Sequence, residues 1–140
     1  MGKAIHTMAQ RKLDVVRKRL LIEIERLGID VVVHRVKYKS DGSNGFVPDG
    51  EETFQVRGII KSLSTTQAKD FTPTDGGRSY TITDTLSVIY DEAIEFKMYD
   101  WFEVGSFKYT VLQISNVGDQ DVYWLLSLAM EPKEVERYGE

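Results

Sequence analysis

From Met8 to Leu27 the apolar positions recur with the period of a helix, and after Gly28 they recur at every second residue. At 100° per residue, Leu13, Val16, Leu20, Ile24 and Leu27 fall on one narrow face, which predicts a helix over 8–27 with that stripe against a core. Thr7-Met8-Ala9-Gln10 has the form of a capping box, in which the Thr7 hydroxyl accepts from the Gln10 N–H and the Gln10 side chain reaches back. Gly28 suits the position just past the helix, where a residue without Cβ turns left-handed at no steric cost. The helix has a second feature. Met8, Val15 and Ile22 repeat every seven residues nearly opposite the stripe, flanked by Arg11, Lys18, Arg19 and Arg26. Single exposed apolar residues are ordinary surface. An apolar centre with a polar rim is also how subunit contacts are built. Both readings stand at this point.

The alternating remainder predicts strands. Residues 29–39 are rich in β-branched side chains, and 53–63 and 79–90 alternate, the last with Asp84 interrupting its apolar face. Residues 93–104 are apolar at Phe96, Met98, Trp101 and Phe102 but fit no single period. A hairpin is expected from 107–116 and 122–130, and its second strand, apolar on both faces at Tyr123-Trp124-Leu125-Leu126, belongs in the middle of a sheet. Turn formers mark 40–52 (Gly42, Gly45, Pro48-Asp49-Gly50) and 64–78 (Pro73, Asp75-Gly76-Gly77) as two long loops, of a length that is usually functional or disordered. Their apolar anchors are Phe46-Val47 and Phe71. The last ten residues, 131–140, read as a charged, mobile tail. One helix followed by strands without βαβ alternation gives an α+β fold: an N-terminal helix packed on a small antiparallel β-sandwich or partly closed β-barrel of five or six strands, in one domain over 1–130.

Composition adds exclusions. The chain has 140 residues, 41% of them apolar, enough for one ordinary core. It has no cysteine, so disulfides, thiol catalysis and thiolate metal sites are excluded. No apolar run approaches the ~20 residues of a membrane span, and no apolar leader is evident at the N-terminus. Charge is uneven. Residues 1–38 hold nine Lys/Arg and four Asp/Glu; residues 39–140 hold nine and eighteen. A basic first segment on an acidic remainder fits an arm for nucleic acid or anionic membrane, charge complementarity between copies of the chain, or a plain solvated surface.

The sequence offers little chemistry. His6 and His34 are the only histidines, in no paired spacing, so neither a metal site nor a cofactor is expected. There is no Gly-x-Ser-x-Gly elbow, and Asp75-Gly76-Gly77-Arg78 lacks the Lys-Ser/Thr of a phosphate loop. Glu51 and Glu52 are adjacent, so in an extended chain they point apart and do not form an acid/base pair. Tyr80, Tyr90, Tyr109 and Tyr123 could stack bases on a small barrel, but the acidic β portion would repel phosphate.

The order of parts, and the end of the domain, resemble a known family. The segment Tyr99-Asp100-Trp101-Phe102-Glu103-Val104-Gly105-Ser106-Phe107-Lys108-Tyr109-Thr110-Val111, followed by Asp121-Val122-Tyr123-Trp124-Leu125-Leu126, is similar to a pattern in the head–tail connector proteins of tailed phages and prophages. The nearest of these are the XkdH-like neck proteins of PBSX-type prophages. Gly105 stands one residue further from Tyr109 than in their common Gly-x-x-Tyr-x-Val form. The resemblance spans roughly 8–130. It implies a non-enzymatic virion component, made in the bacterial cytoplasm and assembled into the particle neck. Its copies would form a head-closure ring that joins portal or adaptor to tail-completion proteins and helps retain DNA, which passes without specific binding. Met8, Arg11, Val15, Lys18, Arg19, Ile22 and Arg26 would then be the subunit-contact face. The channel or partner loops would carry Phe46, Val47, Asp49, Glu51, Glu52, Phe71, Asp75, Gly76 and Gly77. The alternative is a small barrel that binds single-stranded nucleic acid.

Overall fold

In the computed structural model, which describes residues 8–73, 79–116 and 121–133, one helix precedes the strands. Helix α1 is Met8–Leu27; the strands are β1 Ile29–Ser40, β2 Phe46–Ser62, β3 Lys69–Phe71, β4 Tyr80–Ile82, β5 Asp84–Ile89, β6 Trp101–Val104, β7 Phe107–Asn116 and β8 Tyr123–Pro132. Six of them close an antiparallel barrel in the order β1-β2-β5-β8-β7-β6, and β3 and β4 form a separate two-stranded ribbon. The fold is therefore α+β with a fully closed barrel. As expected, β8 is central, between β5 and β7. No helix among the described residues is long and apolar enough to cross a membrane.

Alternation fills the barrel. Val33, Leu86, Phe102, Val111, Leu126 and Leu128 point inward and are fully buried, and Phe96 caps the same cluster. Val111 enters the barrel while Leu112 joins Ile82 and Ala129 in a second cluster outside it, and a bulge between Val111 and Gln113 shifts the alternation so that Ile114, not Gln113, returns to the barrel core. Asp84, the interruption seen in the sequence, does turn inward. Its carboxylate accepts from Ser62 Oγ at 3.0 Å and Thr83 Oγ1 at 2.6 Å, which makes its burial tolerable. Between β6 and β7, Gly105 (φ 59°) takes the first place of a two-residue turn, where a left-handed residue matches the strand twist.

Several expectations change. Residues 40–52 are not a loop. β1 runs to Ser40, β2 starts at Phe46, and only 41–45 turn. Asp41 Oδ1 accepts from the Ser43 and Gly45 amides at 2.7 and 3.1 Å, with Gly42 and Asn44 left-handed. Pro48-Asp49-Gly50, a turn by composition, sits inside β2: the register slips between Val36 and Tyr38, and Gly50 (φ 83°) absorbs the extra residue as a bulge. Residues 64–78 include β3, which pairs with β4, and Phe71 is half-buried against the second cluster rather than projecting. The strand expected over 79–90 breaks at Thr83 into β4 and β5. β8 continues through Pro132, and Lys133 N bonds Ser106 O at 2.9 Å; 134–140 lie outside the described residues, as does Thr7 of the capping box.

The helix stripe is also corrected. Ile24 is buried and Leu13, Arg17 and Leu20 are half-buried, whereas Val16 and Leu27 are exposed. The packed face is rotated by roughly 30° from the apolar stripe. Arg17 causes this. Its guanidinium reaches the carbonyls of Asp121, Val122 and Tyr90 at 3.2–3.4 Å, and those bonds take the place of Val16 packing. Gly28 ends the helix, but not as a left-handed residue. It is needed for space: a Cβ there would stand 2.4 Å from Ile24 O and 3.0 Å from Gly58 O.

Candidate assembly surface

Two arginines fix α1 to the barrel. Arg57 on β2 donates from Nε to Ile24 O at 3.1 Å and from Nη2 to Glu25 O at 3.3 Å, so a cation caps the negative end of the helix dipole. Arg17 holds the other side of the joint. A groove of about 640 Å³ remains between helix and barrel, lined by Leu21, Val56, Tyr90 and Ile94 among others.

The face of α1 turned away from the barrel is open. Val15 and Ile22 are 48% and 51% exposed, and Arg11, Lys18, Arg19 and Arg26 around them are exposed as well. Met8 begins the helix; its side chain lies outside the described residues. Residues 8–27 hold six Lys/Arg and three Asp/Glu.

At the opposite end of β2, the β1–β2 hairpin runs past the barrel as an arm. β1 meets β6 at His34–Trp101, and β2 meets β5 only from Ile59 onward. Among the described residues, the strand pairing of 36–40 and 46–51 is therefore with each other alone. Of the anticipated loop residues, Phe46 (74% exposed) and Val47 are on this arm, and Asp49 faces Lys39 at 3.7 Å. Glu51 Oε1 lies 2.6 Å from His34 Nδ1, and Glu52 lies 3.5 Å from Arg35 Nη1. Phe71 is elsewhere, on the ribbon, and Asp75, Gly76 and Gly77 lie outside the described residues. Among the described residues, 46–52 belong to the β1–β2 pair and Phe71 to the β3–β4 ribbon.

Sequence reasoning missed the outer face of β1. Val32, His34, Val36 and Tyr38 alternate along it, and Tyr38 is 63% exposed. The His34 ring stacks on Trp101 (centroids 4.1 Å apart, 10° between planes), and Lys108 Nζ lies 4.8 Å from the Trp101 centroid. The signal was present: a half-wet antiparallel strand should be polar at every second residue, and this one is not.

Beneath this face lies an ion pair between half-buried Arg35 and buried Asp100. Arg35 donates from Nε and Nη2 to the two Asp100 oxygens at 2.8 and 2.7 Å and from Nη2 to Glu95 O at 2.7 Å. The hydrogen bonds to Asp100 raise the Arg35 pKa above its usual value, burial opposes them, and the charges of Asp100, Glu52 and Glu95 add to the rise. Among the described residues, no group of three or more His, Asp or Glu gathers as a metal site. Compared with known proteins, the sequence matches no protein-family model, and no curated protein matches it.

Proposed function

We propose that this chain is a structural, non-enzymatic component of the head–tail neck of a tailed phage or prophage particle. In this reading its copies form a head-closure ring that joins portal or adaptor to tail and helps retain the packaged DNA. The observation that carries it is the outward face of α1. Hydrogen bonds of Arg17 and Arg57 and the buried Ile24 fix the helix on one side, and the other side presents Val15 and Ile22 within a rim of four cations. An apolar centre with a charged rim is what a protein that works by contact needs. The resemblance of 99–111 and 121–126 to neck proteins supplies the kind of assembly.

A cleft lined by Tyr80, Tyr99, Trp101 and Lys108 favours the second reading, a single-strand nucleic-acid-binding barrel. Glu131 lines the same cleft, and the acidic excess of 39–140 opposes phosphate.

The test is deletion of the gene in the particle-producing host. Neck function predicts DNA-filled heads and free tails that fail to join, with joining restored by the intact gene. Normal joined particles from the deletion strain would reject the reading.

A further inference from the structure

The β1–β2 arm is under-supported by its own chain. Beyond Arg35 it is a two-stranded ribbon of four residue pairs, about 15 Å long, flanked by 97–100 on one side, and such ribbons are marginal in water unless something packs on them. Its outer face carries apolar side chains on both sides of the His34–Glu51 pair, with Thr53 and Gln55 beside them. Val32, Val36 and Tyr38 share it from β1, and the register sets Pro48 opposite Tyr38 and Phe46 opposite Ser40 on the same side. This stripe measures about 27 Å from Val32 to Ser40 at 3.3–3.4 Å per residue. The helix measures about 30 Å.

We propose that copies of this chain join head to tail, with the Val15/Ile22 face of α1 in one copy lying along the outer face of the β1–β2 arm in the next. This rests on the reading that the chain works through self-assembly, and it names both halves of the contact. Charge supports the pairing. Residues 36–52 carry Lys37 and Lys39 against Asp41, Asp49, Glu51 and Glu52, whereas α1 carries six cations and three anions. Asp49, Glu51 and Glu52 already face Lys39, His34 and Arg35, so the basic rim of the helix meets the arm's excess of two negative charges over 36–52, whereas a helix-to-helix pairing would set like charges together. One chain cannot satisfy both faces itself. α1 meets β2 at Arg57, while the arm is at the other end of that strand. Two different faces that join copy to copy form a heterologous contact, which closes into a ring when the rotation permits.

The cysteine-free chain makes the test direct. Val15→Cys and a size-tagged Tyr38→Cys are mixed at about 0.1 mM, where a contact with a Kd of that order is substantially occupied. They are then oxidised mildly. The expected product is the mixed disulfide dimer, several-fold above a control pairing Val15→Cys with Asp70→Cys on the exposed ribbon. Circular dichroism confirms that each variant is folded, and Phe46→Cys on the same arm face replaces Tyr38→Cys if that variant is not. Mixed product no greater than the control overturns the proposal, as does a predominant Val15→Cys homodimer, which would mean helix on helix. The two readings fail separately. A mixed disulfide from a chain whose deletion leaves particles joined keeps this contact and removes the neck role. A deletion defect without the mixed disulfide does the reverse.

Discussion

Arg35 on β1 grips Asp100, the residue before β6, through two hydrogen bonds of 2.8 and 2.7 Å where the barrel has its weakest seam. The β1–β6 ladder pairs His34 with Trp101 and, among the described residues, nothing further. Side chains complete the closure. Asp100 is 1% exposed and also accepts from Lys97 N at 2.7 Å, which fixes the turn that leads into β6. Removing the arginine leaves a buried carboxylate without its cation, a change that costs about 3–5 kcal/mol in comparable pairs. Arg35→Ala should lower the urea midpoint accordingly. A loss under ~1 kcal/mol would mean that packing alone closes the barrel.

Gly58 on β2 lies close against β5. A Cβ there would stand 2.6 Å from Ser87 O and 2.8 Å from Leu86 Cδ1, and the first of these is backbone that cannot swing away. Gly58→Ala should therefore destabilise by about 1–3 kcal/mol, the usual cost of overpacking. Thermal unfolding reads this directly, and an unchanged midpoint would show that β2 and β5 separate freely.

The two sides of α1 should behave differently. Ile24 is the helix residue buried among the described ones, so Ile24→Ala should cost on the order of 2–5 kcal/mol. Leu20, a core position by periodicity, is half-buried and should cost less. Val15→Asp should shift monomer stability within about 0.5 kcal/mol. Unfolding by Val15→Asp would make the outward face part of the core and remove it as a contact surface.

These contrasts mark what the pattern of residues makes legible. The helix and the β7–β8 hairpin follow from local signals: a 3.6-residue period ending at Gly28, and two apolar strands around a polar turn. The rotation of the helix does not, because Arg17 bonds carbonyls more than seventy residues away. The arm is hidden for a different reason. Pro48-Asp49-Gly50 has turn chemistry, and only the register with β1 turns it into a bulge. Barrel closure is equally non-local, resting on Arg35 and Asp100, which lie 65 residues apart.

Tyr109 gives the fold an alkaline limit. It is 8% exposed and stacked on Phe102, and burial, reinforced by the charge on Asp84, raises its pKa above the usual value near 10. The neutral phenol is thus favoured in the folded state. Below about pH 10 both states keep the proton and the contribution is full. Above it the unfolded chain loses the proton first, so stability falls as pH rises toward the folded pKa. Unfolding followed from pH 8 to 11 should show this fall, and Tyr109→Phe should make it shallower. An identical slope in the variant would place the titration on other groups.

Nucleic acid separates the two functional readings. A neck component lets DNA pass, and residues 39–140 carry twice as many Asp/Glu as Lys/Arg. Affinity for duplex or single strands at physiological salt should then be weaker than the ~10⁻⁴–10⁻⁶ M of non-specific binders. The basic face of α1 gives some attraction at low salt, so the titration must extend to physiological ionic strength. Each phosphate neutralised adds nearly one unit to the negative slope of log K against log salt. If the helix is a nucleic-acid arm, tight binding will persist with a steep slope, and changing Arg11, Lys18, Arg19 and Arg26 to Gln will abolish both. That outcome would overturn the neck assignment, since a face committed to phosphate is not free to meet the acidic arm of another copy. Weak binding that the four changes leave unaltered at physiological salt keeps those cations available for a protein partner.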